Sequence, residues 1–189
     1  MNRSGFSLLE VLTAVAIAGI IAGLGTVSFV GWRAKHEIDN EIRQAYVDLM
    51  NVRMMAVGKN MAHFVSLGAN QMRVYQDSNG NGTLNTASDG ILCLWDKPTA
   101  QVADGLCPNS QSTSVKNFPR PVRWGGDSTI RFDSRGLSAG DQTVCIDYSL
   151  TPQTSPSYDC VDLSRTRVSV GKLADPLGAC NSANCQTKK

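Results

Sequence analysis

From Phe6 to Val30 the chain is apolar on every side, and Glu10 is the single ionisable residue in that run. At about 1.5 Å per residue such a stretch makes a helix of roughly 37 Å, long enough to cross a bilayer. A carboxylate at that depth costs on the order of 3 kcal/mol unless something neutralises it. Glu10 therefore calls for a partner that a plain anchor does not need. Beyond Trp32 the pattern turns amphipathic, with Ile38, Ile42, Ala45, Tyr46, Leu49 and Val52 recurring at three- and four-residue steps. The spacing predicts that one rod continues to about Val57, where Gly58 and Asn60 supply stop signals. Asp39 and Arg43, at i and i+4 with the acid first, are predicted to support it as a pair. Trp32, Arg33 and Lys35 mark the exit from the apolar half into an interface.

After the rod, short strand-like runs alternate with turn residues. They are Ala62 to Leu67, Met72 to Gln76, Gly90 to Leu94, Thr129 to Phe132, Thr143 to Tyr148, Asp159 to Leu163 and Arg167 to Val170. Between them lie Gly68-Ala-Asn70, Ser78-Asn-Gly-Asn-Gly82, Pro108 to Pro121, Gly125-Gly126, Arg135-Gly136 and Leu150 to Ser157. The rod's apolar stripe needs a sheet to cover it, so the expected fold class is α+β: a long helix packed on an antiparallel sheet of short strands. This divides the chain into a leader (1–5), a membrane-spanning half of the helix (6–30), an amphipathic half (31–58), a β-rich body (59–173) and a tail with a cysteine pair (174–189).

The formal net charge of +2 carries no global nucleic-acid signature. Six cysteines, Cys93, Cys107, Cys145, Cys160, Cys180 and Cys185, point to an oxidising compartment and to disulfides. Zinc is the rival, but there is no Cys-x-x-Cys, and His36 and His63 are far from the cysteines in sequence. Six cysteines allow fifteen connectivities. Neighbour pairing is the simplest expectation: Cys145 with Cys160 as a cross-strand clamp, and Cys180 with Cys185 closing a small loop. No activating motif surrounds any Ser, Cys or carboxylate, and there is no phosphate loop, so the chain is expected not to be an enzyme. His36 is expected on the exposed rod and His63 at a strand edge.

Gly5-Phe-Ser-Leu-Leu-Glu-Val-Leu12 resembles the prepilin signal of type IV pilins and type II secretion pseudopilins. The resemblance implies cleavage between Gly5 and Phe6 by a membrane peptidase, N-methylation of Phe6, and an assembly role for Glu10. Once Phe6 carries an ammonium group, the Glu10 carboxylate of a neighbouring subunit pairs with it in a low-dielectric setting. A secretory signal peptide, with Arg3 as its basic start and Ala16-Ile-Ala18 as its cleavage site, is the competing reading. The acid within the apolar run and the apolar residues beyond Ala18 argue against it.

The segments Val74-Tyr-Gln-Asp-Ser-Asn-Gly-Asn-Gly82 and Ile130-Arg-Phe-Asp-Ser-Arg-Gly136, with a last pair of strands around Ser164-Arg-Thr-Arg-Val168, resemble FimT-like minor pilins and H-type (GspH-like) minor pseudopilins. That resemblance implies the pilin fold and a minor type IV pilin that inserts in the inner membrane and helps initiate or cap a fibre. The alternative is an H-type minor pseudopilin of type II secretion. Its implied partners are other major and minor pilins or pseudopilins, the prepilin peptidase and methyltransferase, and inner-membrane lipid before assembly. Its implied location is a single pass with a periplasmic body, then a surface pilus or periplasmic pseudopilus. Arg165, Arg167 and Lys172, followed by Lys188 and Lys189, concentrate positive charge in the carboxy-terminal quarter and are the candidate DNA contacts. In FimT-like pilins of transformable bacteria an arginine-rich motif near this position contacts DNA, and Ser164-Arg165-Thr-Arg167 resembles it; a solvated strand face with a soluble tail competes with that reading.

Asp77-Ser-Asn79-Gly-Asn81-Gly82 matches the opening of a calcium loop, with Asp89 as the next carboxylate, but Ser88 holds the place of the bidentate Glu. Ordinary Asn-Gly turn chemistry competes here. No cofactor is expected beyond calcium at Asp77, Asn79, Asn81 and Asp89.

Overall fold

The computed structural model describes residues 7–92, 95, 115–148 and 154–187, with side chains described throughout except at 24–30. The chain is α+β. Helix α1 runs as one element from Leu8 to Lys59 and ends at Asn60, whose left-handed backbone (φ 53°) lets its amide reach the carbonyls of Ala56 and Val57. An Asn tolerates that conformation better than most residues, so the expected stop signal acts where it stands. Gly58, the other expected stop, is inside the helix.

The buried stripe of α1 is Ile38, Ile42, Ala45, Leu49, Val52 and Ala56, a spacing that keeps one face toward the body. Each large aliphatic side chain in it contributes about 1.5–3 kcal/mol by leaving water. The stripe covers two antiparallel sheets. In the first, β2 (Gln71–Gln76) pairs with β1 (His63–Leu67), which pairs on its other side with β6 (Thr129–Phe132); β3 (Gly90–Ile91) and β4 (Lys116–Asn117) both add to β2. The second has the order β10 (Cys185–Thr187), β9 (Val168–Leu173), β8 (Cys160–Leu163), β7 (Gln142–Ile146) and β5 (Val122–Gly125). Val65, Leu67, Met72, Val74, Ile130 and Phe132 of the first sheet, with Val144, Ile146, Val161 and Leu163 of the second, complete the core under the helix.

Side-chain bonds from the helix fix the body's orientation. Arg120 meets Glu41 at 2.5 Å and Glu37 at 3.2 Å, and Lys116 pairs with Asp48. Asp39 does not pair with Arg43 as expected. Its Oδ1 accepts the amides of Ser157 (2.7 Å) and Tyr158 (2.9 Å), and Arg43 lies over the Tyr158 ring at 4.8 Å. Two partly buried backbone donors offer a carboxylate more than an exposed i, i+4 cation does.

The cysteine pairing also differs from expectation. Cys145 and Cys160 face each other in register on β7 and β8, yet Cys145 bonds Cys180 and Cys160 bonds Cys185, each with Cα atoms 6.0 Å apart. Cys145 alternates with the core-facing Val144 and Ile146, so it points away from the helix, and the chain after β9 crosses that outer face. Two glycines leave room for the crossing. A Cβ on Gly125 would stand 1.9 Å from the Cys180 carbonyl oxygen, and one on Gly171, opposite Cys160, would stand 2.8 Å from the Cys185 sulfur. Arg123 fastens the same segment by donating to the carbonyls of Gly178 (2.9 Å) and Pro176 (2.8 Å). The tail is thus a second layer on the sheet, and its last residues form β10. Cys93 and Cys107 lie outside the described residues.

Candidate functional site

The start of α1 is built for contact with something other than its own body. Ser7 is extended (φ −71°, ψ 143°), and its carbonyl accepts the amides of Glu10 (3.0 Å) and Val11 (3.2 Å). Glu10 therefore occupies the first turn, where the positive end of the helix dipole favours a carboxylate. Leu8 is 81% exposed and Leu9 73% exposed, and every described side chain from Ser7 to Gly23 is open. No ion pair to Glu10 exists among the described residues. An open apolar surface of this extent marks a site of association with lipid or with another helix.

Gly5 and Phe6 lie outside the described residues. Among the described residues no helix is long and apolar enough to cross a membrane; the apolar run with described side chains stops at Gly23, short of the roughly 20 residues a span needs. At the far end of that half, Trp32 packs edge-on against exposed His36 with ring centroids 4.3 Å apart, and Arg33 pairs with Glu37 at 2.9 Å.

The loop from Asp77 to Gly82 spends its oxygens on its own backbone. Asp77 accepts the amides of Asn81 (3.2 Å) and Gly82 (2.8 Å), Asn79 accepts that of Asn81 (2.9 Å), and Asn81 accepts that of Thr83 (2.8 Å). Gly80 and Gly82 have φ of 69° and 72°, the conformation such tight turns require. Asp89 is buried and turns one oxygen to the amide of Asn85 at 2.7 Å. Among the described residues no group of three or more acidic, His or Cys side chains is arranged to hold a metal.

The three cations expected to act together are separated. Arg165 and Arg167 are exposed on the β8–β9 turn, whereas Lys172 stands five residues further along β9, about 17 Å away at strand rise. Lys172 donates to the hydroxyl of Ser155 at 2.9 Å. Arg165 instead shares a polar depression of about 390 Å³ with Arg131, Asp133 and Arg135. Sequence reasoning missed this grouping. The alternation Arg131-x-Asp133-x-Arg135 was a visible hint, but its meeting with Arg165 depends on two sheets coming together.

His63 is also placed differently from expectation. It is fully buried and not at a sheet edge, because β1 is flanked by β2 and β6.

The prokaryotic N-terminal methylation motif family matches residues 1–26. No curated protein and no solved structure matches the chain. The matched motif supports the type IV pilin and pseudopilin superfamily without separating its subtypes, and it is a structural motif, not an enzyme family. It implies an N-terminal anchor, processing by prepilin peptidase and assembly with other pilins.

Proposed function

We propose that this chain is a minor subunit of a type IV pilus-like fibre, inserted in the inner membrane through its N-terminal helix, cut after Gly5, methylated on Phe6 and then drawn into the fibre. The observation that carries the reading is the methylation motif at residues 1–26 placed on a helix whose described side chains from Ser7 to Gly23 are all open, while Ile38 to Ala56 hold the body. The first half keeps its apolar side chains and its carboxylate for other molecules. Glu10 supplies the direction of assembly: a carboxylate with no ion pair among the described residues is costly in lipid and much less so beside the ammonium of a neighbour's Phe6. The rod and the body are separate devices, so a change at Glu10 leaves the fold alone. Glu10→Ala is therefore expected to give a processed, folded and disulfide-bonded protein that stays in the membrane and is missing from sheared fibres. Incorporation of Glu10→Ala at the wild-type level contradicts the pairing.

A further inference from the structure

Three arginines line one polar depression of the body. Arg131 belongs to β6, Arg135 to the turn after it, and Arg165 to the β8–β9 turn of the other sheet. Two backbone bonds hold these segments together, from the amide of Ser138 to the carbonyl of Arg165 (2.9 Å) and from the amide of Ala139 to that of Arg131 (3.0 Å). The turn is seated on the rod at Gly136 (φ 75°), where a Cβ would come within 2.8 Å of Val57. The cluster is thus framed by a strand and turns of the two sheets.

The single carboxylate in the lining is already spent. Asp133 Oδ1 accepts the amides of Arg135 and Leu137 at 2.9 Å each, and its Oδ2 accepts Nε (3.2 Å) and Nη2 (2.9 Å) of Arg135. The Nε–H of Arg131 is buried and meets no acceptor among the described residues. Arg165 is exposed and lines the depression.

We propose that Arg131, Arg135 and Arg165 form an oxyanion pocket for phosphate, free or as the terminal group of a monoester. One guanidinium fork is enough for a planar carboxylate. Three guanidinium groups arriving from a strand and two turns offer donors from several directions, which suits a tetrahedral oxyanion. The charges agree: three cations against one carboxylate match a phosphate monoester of about −1.5 to −2 near pH 7 better than a diester carrying one charge.

The test uses the chain in detergent micelles at constant ionic strength, with the arginine Nε–Hε resonances followed by NMR. Inorganic phosphate and glycerol 3-phosphate are expected to shift the Arg131 resonance saturably, with acetate and dimethyl phosphate binding about tenfold more weakly or less. Arg165→Gln, a change on an exposed turn, is expected to weaken phosphate about tenfold, while Arg167→Gln, on the same turn but outside the lining, leaves it unchanged. Equal phosphate affinity in wild type and Arg165→Gln overturns the pocket, as does an equal loss in Arg167→Gln. Acetate binding as tightly as phosphate overturns the tetrahedral assignment, and dimethyl phosphate doing so overturns the monoester in favour of a nucleic-acid backbone.

Discussion

His63 opens β1 with no exposure, its Nδ1 3.0 Å from the carbonyl of Met61 and its Nε2 without a partner among the described residues. Burial holds its pKa below the ordinary 6.5, the Met61 bond works against that, and the charge of Lys59 adds to it. The sign follows from linkage. The unfolded chain binds the proton first, so stability is full above about 6.5 and is lost as pH falls from there through the lower folded value. Asp159, buried and bonded to the Tyr148 hydroxyl (2.7 Å) and the Leu173 amide (2.6 Å), has its pKa raised by burial and acts with the opposite sign. It is therefore not the source of an acid-side loss. Thermal unfolding between pH 7.5 and 5 is expected to show a falling melting temperature in wild type and a shallower fall in His63→Gln; identical slopes would rule out His63 as the cause. Nothing local to His63 announces this burial. It comes from β6 returning to pair with β1 across more than sixty residues, a contact that composition and periodicity do not encode.

At the scale of elements, the rod was legible because one stripe at helical spacing runs from Ile38 to Ala56 with a left-handed Asn behind it. Six of the seven expected strands form over most of their length because strand-forming residues meet turn chemistry; of Gly90 to Leu94 only Gly90–Ile91 is a strand, and 93 and 94 lie outside the described residues. β4, β5 and β10 were not legible. β5 is four residues between Pro121 and Gly126, and β10 three residues in a tail, and each exists because a neighbouring strand supplies its ladder. The same tail misled the cysteine pairing, since sequence proximity says nothing about a segment that folds back over a sheet. Gly125 makes the point testable. Gly125→Ala places a methyl group into the Cys180 carbonyl, so the tail must lift. Peptide mapping without reductant is expected to show loss of the Cys145–Cys180 link, and the melting temperature is expected to drop as a bridge worth about 3–4 kcal/mol fails to form. An intact link with unchanged melting would show that the tail does not depend on that gap.

For the whole molecule, the division of labour along α1 is the organising fact. Its second half holds the body, while every described side chain from Ser7 to Gly23 is exposed, and that stretch carries one carboxylate at the positive end of the helix. The open half and the methylation motif at residues 1–26 together point to a protein whose working state includes other copies of the same kind of helix. The proposed arginine pocket lies in the body, its Arg135 preceding the Gly136 that abuts Val57, far along the chain from Glu10, so assembly and anion binding are expected to be separable by mutation. The most direct measurement is the identity of the mature amino terminus, by mass spectrometry of the chain recovered from cells that carry the assembly machinery. A terminus of methylated Phe6 is the predicted result; a terminus at Gly19, following Ala16-Ile-Ala18, would contradict the account.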